Sequence, residues 1–198
     1  MVDVLSIDFS DVARVASRLG AAQDQIPYAC ALALNQAADN TRNLLIQNTW
    51  PSHVHVRNTS FIAASLTTRD ARASKRQLAV EIYDKLDRGH LKMQGEGGVR
   101  MPHGGSSLAV PVSEIAAART GRGVPARLKP KNIKAFKLRD GLYVRDKRTK
   151  RLRMVYALKA STRIPKRVPF TEDFVRSISR DLIANLPQAI ARAMATRR

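Results

Sequence analysis

Cationic side chains are the residues of this sequence whose type and spacing indicate a chemistry most directly. Within LYVRDKRTKRLRMVYAL, residues 142–158, a set of cations lies between two apolar runs. Such a set either contacts the phosphates of a nucleic acid or forms the tip of a β-hairpin that docks on an acidic protein surface. We therefore expect DNA or partner docking to depend on Arg145, Lys147, Arg148, Lys150, Arg151 and Arg153.

The basic excess is concentrated in the middle of the chain. The 198 residues carry a net charge of +19, and residues 107–169 alone carry +15, from 18 basic and three acidic side chains. Residues 1–56, by contrast, carry −2. The middle region is expected to meet a polyanion or an acidic protein surface, with a merely solvated face as the third alternative.

Spacings typical of catalytic or metal sites do not occur in the sequence. His53 and His55 have too few potential ligands beside them for a zinc site, and the single cysteine, Cys30, is expected to be buried on a helix elsewhere. The glycines of residues 88–107 do not join a strand to a helix as a phosphate-binding loop does, so we expect a flexible loop there. We predict no enzymatic activity, no cofactor and no metal. Since no run of about 18 apolar residues occurs, we also expect no membrane contact.

A long helix is predicted within an N-terminal helical region, residues 8–50. It runs from about Pro27 to Asn48, and Pro51 is expected to end it. The preceding segment is expected to hold a short strand and a helix near residues 12–19. Alanines recur along the long helix, and such small side chains allow another helix or a second subunit to approach closely.

A second long helix is predicted over residues 170–196, with Thr171 as its N-cap. Its apolar residues recur every four positions, so the apolar stripe drifts around the helix and faces more than one partner surface. Pro187 is expected to bend or break this helix. From the two helices together, we expect an oligomer interface to include Ala29, Ala33, Ala37, Phe174, Ile178 and Leu182.

The region between the helices is predicted to form β-structure. Residues 77–112 contain two strands around the glycine loop, residues 113–134 form an extended or mobile basic arm, and residues 135–160 form a β-meander. Asp140-Gly141 is a strong signal for a two-residue hairpin turn. The three meander strands are expected at about 135–139, 142–146 and 151–159. One face of the last strand is expected to hold Leu152, Met154, Tyr156 and Leu158.

These elements predict an α+β fold. The chain is expected to form a single domain over residues 1–198, in which N-terminal helices and a long C-terminal helix pack on an antiparallel β-sheet with a β-meander.

Two blocks of the sequence resemble the minor tail protein Z family of long-tailed bacteriophages. They are IPYACALALNQAADNTRN and, much later, YALKASTRIPKRVPFTEDFVRSI. The intervening HLKMQGEGGVRMP and SLAVPV are similar to the glycine loop and strand of that family. The resemblance covers most of residues 26–198 in order, and none of its motifs is a catalytic fingerprint.

The resemblance implies a structural role in the virion. Proteins of this family complete the head-proximal end of the tail, and similar neck proteins are α+β subunits of rings, most often sixfold. The chain is therefore expected in the neck or tail of the virion, and in the host cytoplasm during assembly, as a protein of tail completion and head–tail joining. Expected partners are further copies of itself in a hexameric ring, the tail terminator, tail tube, tape measure or head–tail connector proteins, and, weakly, genomic DNA.

Two other functions stay open from the sequence. A sequence-nonspecific DNA-binding protein would be a monomer or dimer with salt-steep affinity, whereas a neck subunit would form rings and bind DNA modestly. A related head–tail connector or tail-terminator protein is the other alternative, because such proteins are α+β ring subunits of similar size.

Overall fold

The computed structural model describes residues 25–87, 91–120, 123–146 and 148–196. The strand and helix expected before residue 25 lie outside this range, as does Lys147. The chain divides into two compact units. The helical unit comprises the described parts of Met1–His55, Thr59–Gly95 and Arg167–Arg198, and the sheet unit those of Val56–Asn58 and Glu96–Lys166. The assignment of one domain to the whole chain stays a prediction.

Long helices at either end of the described chain flank a region rich in β-strands, which confirms the predicted α+β class. In chain order the elements are α1 (Ile26–Leu44), a π-helical turn (Leu45–Thr49), α2 (Trp50–His53), α3 (Thr59–Ser65), β1 (Leu66–Thr67), β2 (Tyr83–Asp84), α4 (Leu91–Glu96), β3 (Gly98–Arg100), β4 (Leu108–Pro111), α5 (Ser113–Ala117), a 3-10 turn (Ala126–Leu128), β5 (Phe136–Leu138), β6 (Gly141–Arg145), β7 (Leu152–Lys159), β8 (Thr162–Ile164) and α6 (Phe170–Ala195).

The core of the helical unit is the contact between α1 and α6. Leu34 of α1 and Ile178 of α6 are both fully buried there, together with Val80 from the segment before β2. The Thr41 hydroxyl donates a hydrogen bond to the Ser177 hydroxyl at 3.1 Å, which satisfies two buried polar groups across the helices. The alanines of α1 bring the two backbones close enough for this contact.

Helical backbone continues past the point where the sequence predicts an end. After α1 the π-helical turn intervenes, and Pro51 lies in α2 directly after it, where the helical backbone continues. The backbone becomes extended only at Val54. Trp50 is buried between Phe61 and Phe170, whose ring centroids lie 6.3 and 6.1 Å from its own. Burial of this large ring thus holds the extra turn in place.

The long helix α6 differs from expectation at its start and at its proline. Thr171 lies inside the helix and is not its cap; the N-cap position is Pro169, whose carbonyl accepts the backbone N–H of Asp173 at 3.0 Å. Pro187 does not break the helix, which is continuous from Phe170 to Ala195.

The apolar stripe of α6 drifts around the helix, as its four-residue period predicts. Its early members, Phe174, Ile178 and Leu182, are buried, but Ile190 and Met194 are 37% and 41% exposed. A step of four residues turns more than one full circle, so later members leave the buried side. Ala189 and Ala193 take their place against the rest of the unit.

The sheet unit contains a four-stranded antiparallel sheet in the order β4-β7-β6-β5. The predicted meander is confirmed as β5, β6 and β7, and the predicted strand in SLAVPV is β4. The first hairpin turn lies one residue earlier than expected. Leu138 pairs with Gly141, so the two loop residues are Arg139 and Asp140, and Arg139 adopts a φ of +49°.

Three segments predicted as simple strand, loop or arm have other structures. Only Tyr83–Asp84 of the strand expected after Gln77 is paired, because its partner β1 is two residues long. The glycine loop contains helix α4 and strand β3, and β3 pairs with β8. The described residues of the basic arm carry α5 and the 3-10 turn, and their apolar side chains cover one face of the sheet. These side chains are Ile115, Val124, Leu128 and Ile133.

Candidate docking surface

The predicted basic hairpin is the turn between β6 and β7. Arg145 pairs with Leu152 at the ends of the strands, and the loop closes beyond them through backbone bonds. The N–H of Asp146 donates to the carbonyl of Arg151 at 2.9 Å, and the N–H of Lys150 donates to the carbonyl of Asp146 at 3.0 Å. These bonds continue the pairing of β6 and β7 beyond the ends of the two strands.

The side chain of Asp146 organises the tip of this loop. Its Oδ1 accepts the backbone N–H of Thr149 at 2.8 Å and that of Arg148 at 2.9 Å. These two hydrogen bonds to the ionised form hold the pKa of the Asp146 carboxyl below its ordinary value of 3.8. Lys150 has a φ of +60°, a backbone conformation that residues other than glycine rarely adopt. Asp146 thus holds the backbone of Arg148 and Thr149 close to the end of β6.

Five of the six predicted docking cations are described, and the structure brings all five to this one hairpin. Arg145, Arg148, Lys150 and Arg151 are exposed. Arg153 on β7 forms an ion pair with Glu114 at 2.5 Å, with both side chains about 60% exposed. An ion pair between side chains this exposed contributes about 1 kcal/mol or less to the free energy of unfolding. Its main effect is to fix the position of the Arg153 side chain. Arg153 is therefore less available to a partner than the other four.

The sheet unit carries most of the charge of the protein. The sequence of its two segments contains 19 Lys and Arg against four Asp and Glu, a net charge of +15. The remaining segments, which belong to the helical unit, contain 16 basic and 12 acidic residues, a net charge of +4. One unit is thus a strongly cationic body, and an anionic partner surface is expected to meet it.

The predicted oligomer interface is not on the surface. Ala29, Ala33 and Ala37 of α1 are at most 1% exposed, and Ala33 and Ala37 belong to the core that α1 shares with α6 of the same chain. Phe174, Ile178 and Leu182 face α1 from the other side and are also buried. The spacing of small and large apolar residues correctly indicates a close helix contact, but that contact is internal. These six residues are therefore core residues and do not present a surface to a second copy.

The last strand of the meander contains a β-bulge that the sequence pattern conceals. Leu142 pairs with Tyr156, whereas the next residue, Tyr143, pairs with Met154, so Val155 is an extra residue in β7. The bulge reverses the alternation of the strand. Leu152 and Met154 consequently lie on the opposite face of the sheet from Tyr156, in contrast to the prediction that all of them share one face. Leu152 is 44% exposed and Tyr156 only 2%.

Clefts in the helical unit contain charged side chains. One, of about 450 Å³, contains Arg72 and Asp39; the Nη2 group of Arg72 donates to both carboxylate oxygens of Asp39 at 2.7 Å. Another, of about 290 Å³, contains Asp173, whose Oδ2 accepts the Thr49 hydroxyl at 2.7 Å, beside His53. The carboxylates of both clefts, Asp39 and Asp173, thus accept hydrogen bonds from neighbouring side chains.

Groups with redox or metal-binding chemistry are sparse in the described chain. Cys30 is buried as expected, and burial raises the pKa of its thiol, which disfavours the reactive thiolate. Within the described residues, no three His, Cys, Asp or Glu side chains come together in a way that would hold a metal ion. Among the helices so described, none is long and apolar enough to cross a membrane.

Comparison of the chain with protein-family models, with curated proteins and with solved structures finds no match.

Proposed function

We propose that this chain is a structural subunit of a bacteriophage neck or tail, where it completes the head-proximal end of the tail and enables head–tail joining as part of a ring. The observation that carries this proposal is the cluster of exposed cations in the described residues of the hairpin between β6 and β7. The order of sequence blocks that resembles the minor tail protein Z family supports the same role.

The hairpin suits docking because hydrogen bonds to Asp146 hold its described loop residues in one geometry. The Asp146 hydrogen bonds fix the loop, so binding removes less conformational freedom than ordering a mobile arm would. Its exposed cations complement acidic surfaces, and complementary charge favours fast and selective association. Proposed partners are the tail terminator, tail tube, tape measure or connector proteins.

Ring formation would make weak individual contacts sufficient. In a ring every subunit presents the same hairpin, so a partner ring is bound at several points at once and the overall affinity greatly exceeds that of one contact. DNA must slide through a neck, and a tight contact between hairpin and DNA would oppose this movement. We therefore assign the hairpin to protein docking, with weak DNA contact as a secondary role.

A free, sequence-nonspecific DNA-binding protein is the second candidate. It is favoured by the concentration of a net +15 in the sheet unit, since cations on one body bind the phosphate backbone without regard to sequence. It predicts steep salt dependence and no requirement for a ring.

Charge reversal at the hairpin tests the proposal. The variant changes Arg145, Arg148, Lys150 and Arg151 to Glu, leaves Asp146 intact, and is supplied in trans to a phage that lacks this gene. We expect full heads and finished tails that do not join. The matched control reverses four exposed cations of the helical unit and is expected to restore joining: Arg69, Arg76, Arg176 and Arg180. Normal joining by a folded hairpin variant would refute the docking role.

A further inference from the structure

One face of the four-stranded sheet is apolar and uncovered in the described chain. Cross-strand partners lie on the same face of a sheet, so the pairs Phe136–Tyr143 and Tyr143–Met154 place three large apolar residues side by side. Leu138 and Leu152 extend this row. Phe136, Leu138 and Leu152 are 41%, 43% and 44% exposed. We call these five residues the open face.

The opposite face of the same sheet is covered by another segment of the chain. There Val155 and Tyr156 are buried beneath the segment that carries α5 and the 3-10 turn, and the Tyr156 hydroxyl donates to the carbonyl of Leu128 at 2.6 Å. A two-sided antiparallel sheet normally presents polar residues on its solvated face. Here Phe136 and Leu138 occupy those positions on an edge strand. Apolar residues grouped in this way mark interaction surfaces.

The charged positions that share the open face are basic. Arg145 pairs with Leu152 and Lys159 pairs with Leu108, so these two cations lie in register at the ends of the apolar row. Within the four described strands no Asp or Glu occupies a paired position. The nearby carboxylates, Asp140 and Asp146, lie in loops. The open face is thus an apolar centre with a cationic rim.

We propose that the open face is the docking site for a different protein, whose contact surface has an apolar centre flanked by Asp and Glu residues. This inference rests on the docking role proposed above but not on its phage setting. The apolar centre supplies the buried area, and the cations at the ends select a partner with acidic residues at the matching positions. The bulge at Val155 is what creates the site, because it turns Leu152 and Met154 outward.

Two other occupants fit the surface less well. A second copy that used the same face would bring together two units of net charge +15, and like-charged surfaces repel. Single-stranded nucleic acid needs aromatic rings on which its bases stack, whereas two of the three most exposed members of the open face are leucines. Duplex phosphates gain nothing from apolar side chains.

Site-specific photo-crosslinking tests the inference on the full chain in the cells that normally produce it. Leu138→p-benzoylphenylalanine places the reactive group on the open face. Lys137→p-benzoylphenylalanine is the matched control, because Lys137 is the exposed neighbour on the same edge strand and lies on the other face, paired with Leu142. Leu152→p-benzoylphenylalanine replaces the first variant if that one fails to fold by circular dichroism.

The expected result is a crosslink from Leu138 but not from Lys137 to one protein, at a segment in which apolar residues are flanked by an excess of Asp and Glu. With that protein purified, we expect Leu152→Asn to weaken binding at least tenfold and Arg145→Glu to weaken it further, while Arg145→Lys retains it. A crosslink to a second copy, to nucleic acid or to a segment without acidic excess would overturn the inference, as would equal crosslinks from both positions or none.

The outcome is distinguishable from failure of the proposed function. A crosslink to an acidic protein together with normal head–tail joining by the gene-deleted phage would refute only the virion role. Loss of joining on deletion, without a crosslink from the open face, would refute only the present inference.

Discussion

The carboxylate of Asp146 accepts the backbone N–H of Thr149 at 2.8 Å, and this bond sits at the tip of the most cationic hairpin of the molecule. The only acidic residue of the loop is thus used to hold its cations in place. A residue that reduces the positive charge of the hairpin is therefore also the one that gives the hairpin its shape.

Asp146→Ala is expected to loosen the tip without unfolding the protein. The backbone N–H groups of Arg148 and Thr149 lose their acceptor, and their hydrogen exchange should accelerate, while that of strands β6 and β7 stays slow. Asp146→Asn is the matched control, because it keeps an acceptor oxygen and should keep much of the protection. Unchanged exchange at the tip in the alanine variant would show that Asp146 does not organise the loop.

The pH at which Asp146 titrates should report the hydrogen bonds that its carboxylate accepts from Arg148 and Thr149. Because the folded pKa lies below 3.8, the stabilisation from this carboxylate is fully present above the pKa of the unfolded chain and is lost as the pH falls through the folded value. We expect carboxyl NMR shifts to titrate below pH 3.8, with loss of tip protection over the same range. A midpoint above 3.8 would contradict the hydrogen-bonded geometry.

A pair of isoleucines on α6 tests the helical core. Ile178 is fully buried against α1, and Ile178→Ala should lower the free energy of unfolding by about 2–5 kcal/mol. Ile183, five residues further on, is 75% exposed, and Ile183→Ala should change it by about 0.5 kcal/mol or less. Urea denaturation of both variants measures the difference, and equal losses would contradict the assignment of the two faces.

Gly141 is required for space and not for backbone freedom. A Cβ at this position would lie 2.9 Å from Cε2 of Tyr143 and 3.1 Å from the carbonyl oxygen of Tyr156. Gly141→Ala should therefore destabilise the protein by about 1–3 kcal/mol, as overpacking does. Gly105→Ala is the control, because a Cβ there meets nothing within 4 Å, and it should leave the stability nearly unchanged. Thermal unfolding of both variants measures the difference. A neutral Gly141→Ala would mean that Tyr143 does not pack over the strand.

DNA binding separates the two candidate functions. For a neck subunit, along which DNA must slide, we expect binding at about 150 mM salt to be weaker than a Kd of about 10⁻⁴ M, the weak end of typical nonspecific binding. The slope of log K against log salt concentration changes by about 0.9 for each phosphate that a cation neutralises. If the four exposed hairpin cations each contact a phosphate, changing all four to Gln should therefore reduce the magnitude of this slope by about 3.6. The same change at Arg69, Arg76, Arg176 and Arg180 is the control. A Kd well below 1 μM at this salt would favour the free DNA-binding protein.

Local signals in the sequence were sufficient for the elements whose period is regular. The meander follows from alternation around the turn at Asp140, and α1 follows from the apolar and alanine pattern after Pro27. The drift of the α6 stripe follows from its four-residue step. In each case the signal lies within a few residues, and the tertiary structure reinforces it.

The features that the sequence did not predict depend on partners far along the chain. Helical backbone continues through Trp50 because Phe61 and Phe170 bury its ring, and neither ring is local to the proline. The bulge at Val155 is set by pairing with β6, so Leu152 and Tyr156 look equivalent in the sequence yet lie on opposite faces. The small residues of α1 indicate a close contact but not whether it lies within the chain or between chains.

Electron microscopy of a lysate from a phage that lacks this gene tests the central claim most directly. The proposed role predicts full heads beside tails of complete length, with the two unjoined, and recovery of joined particles when the gene is supplied in trans. Normally joined particles in the absence of the gene would contradict the account.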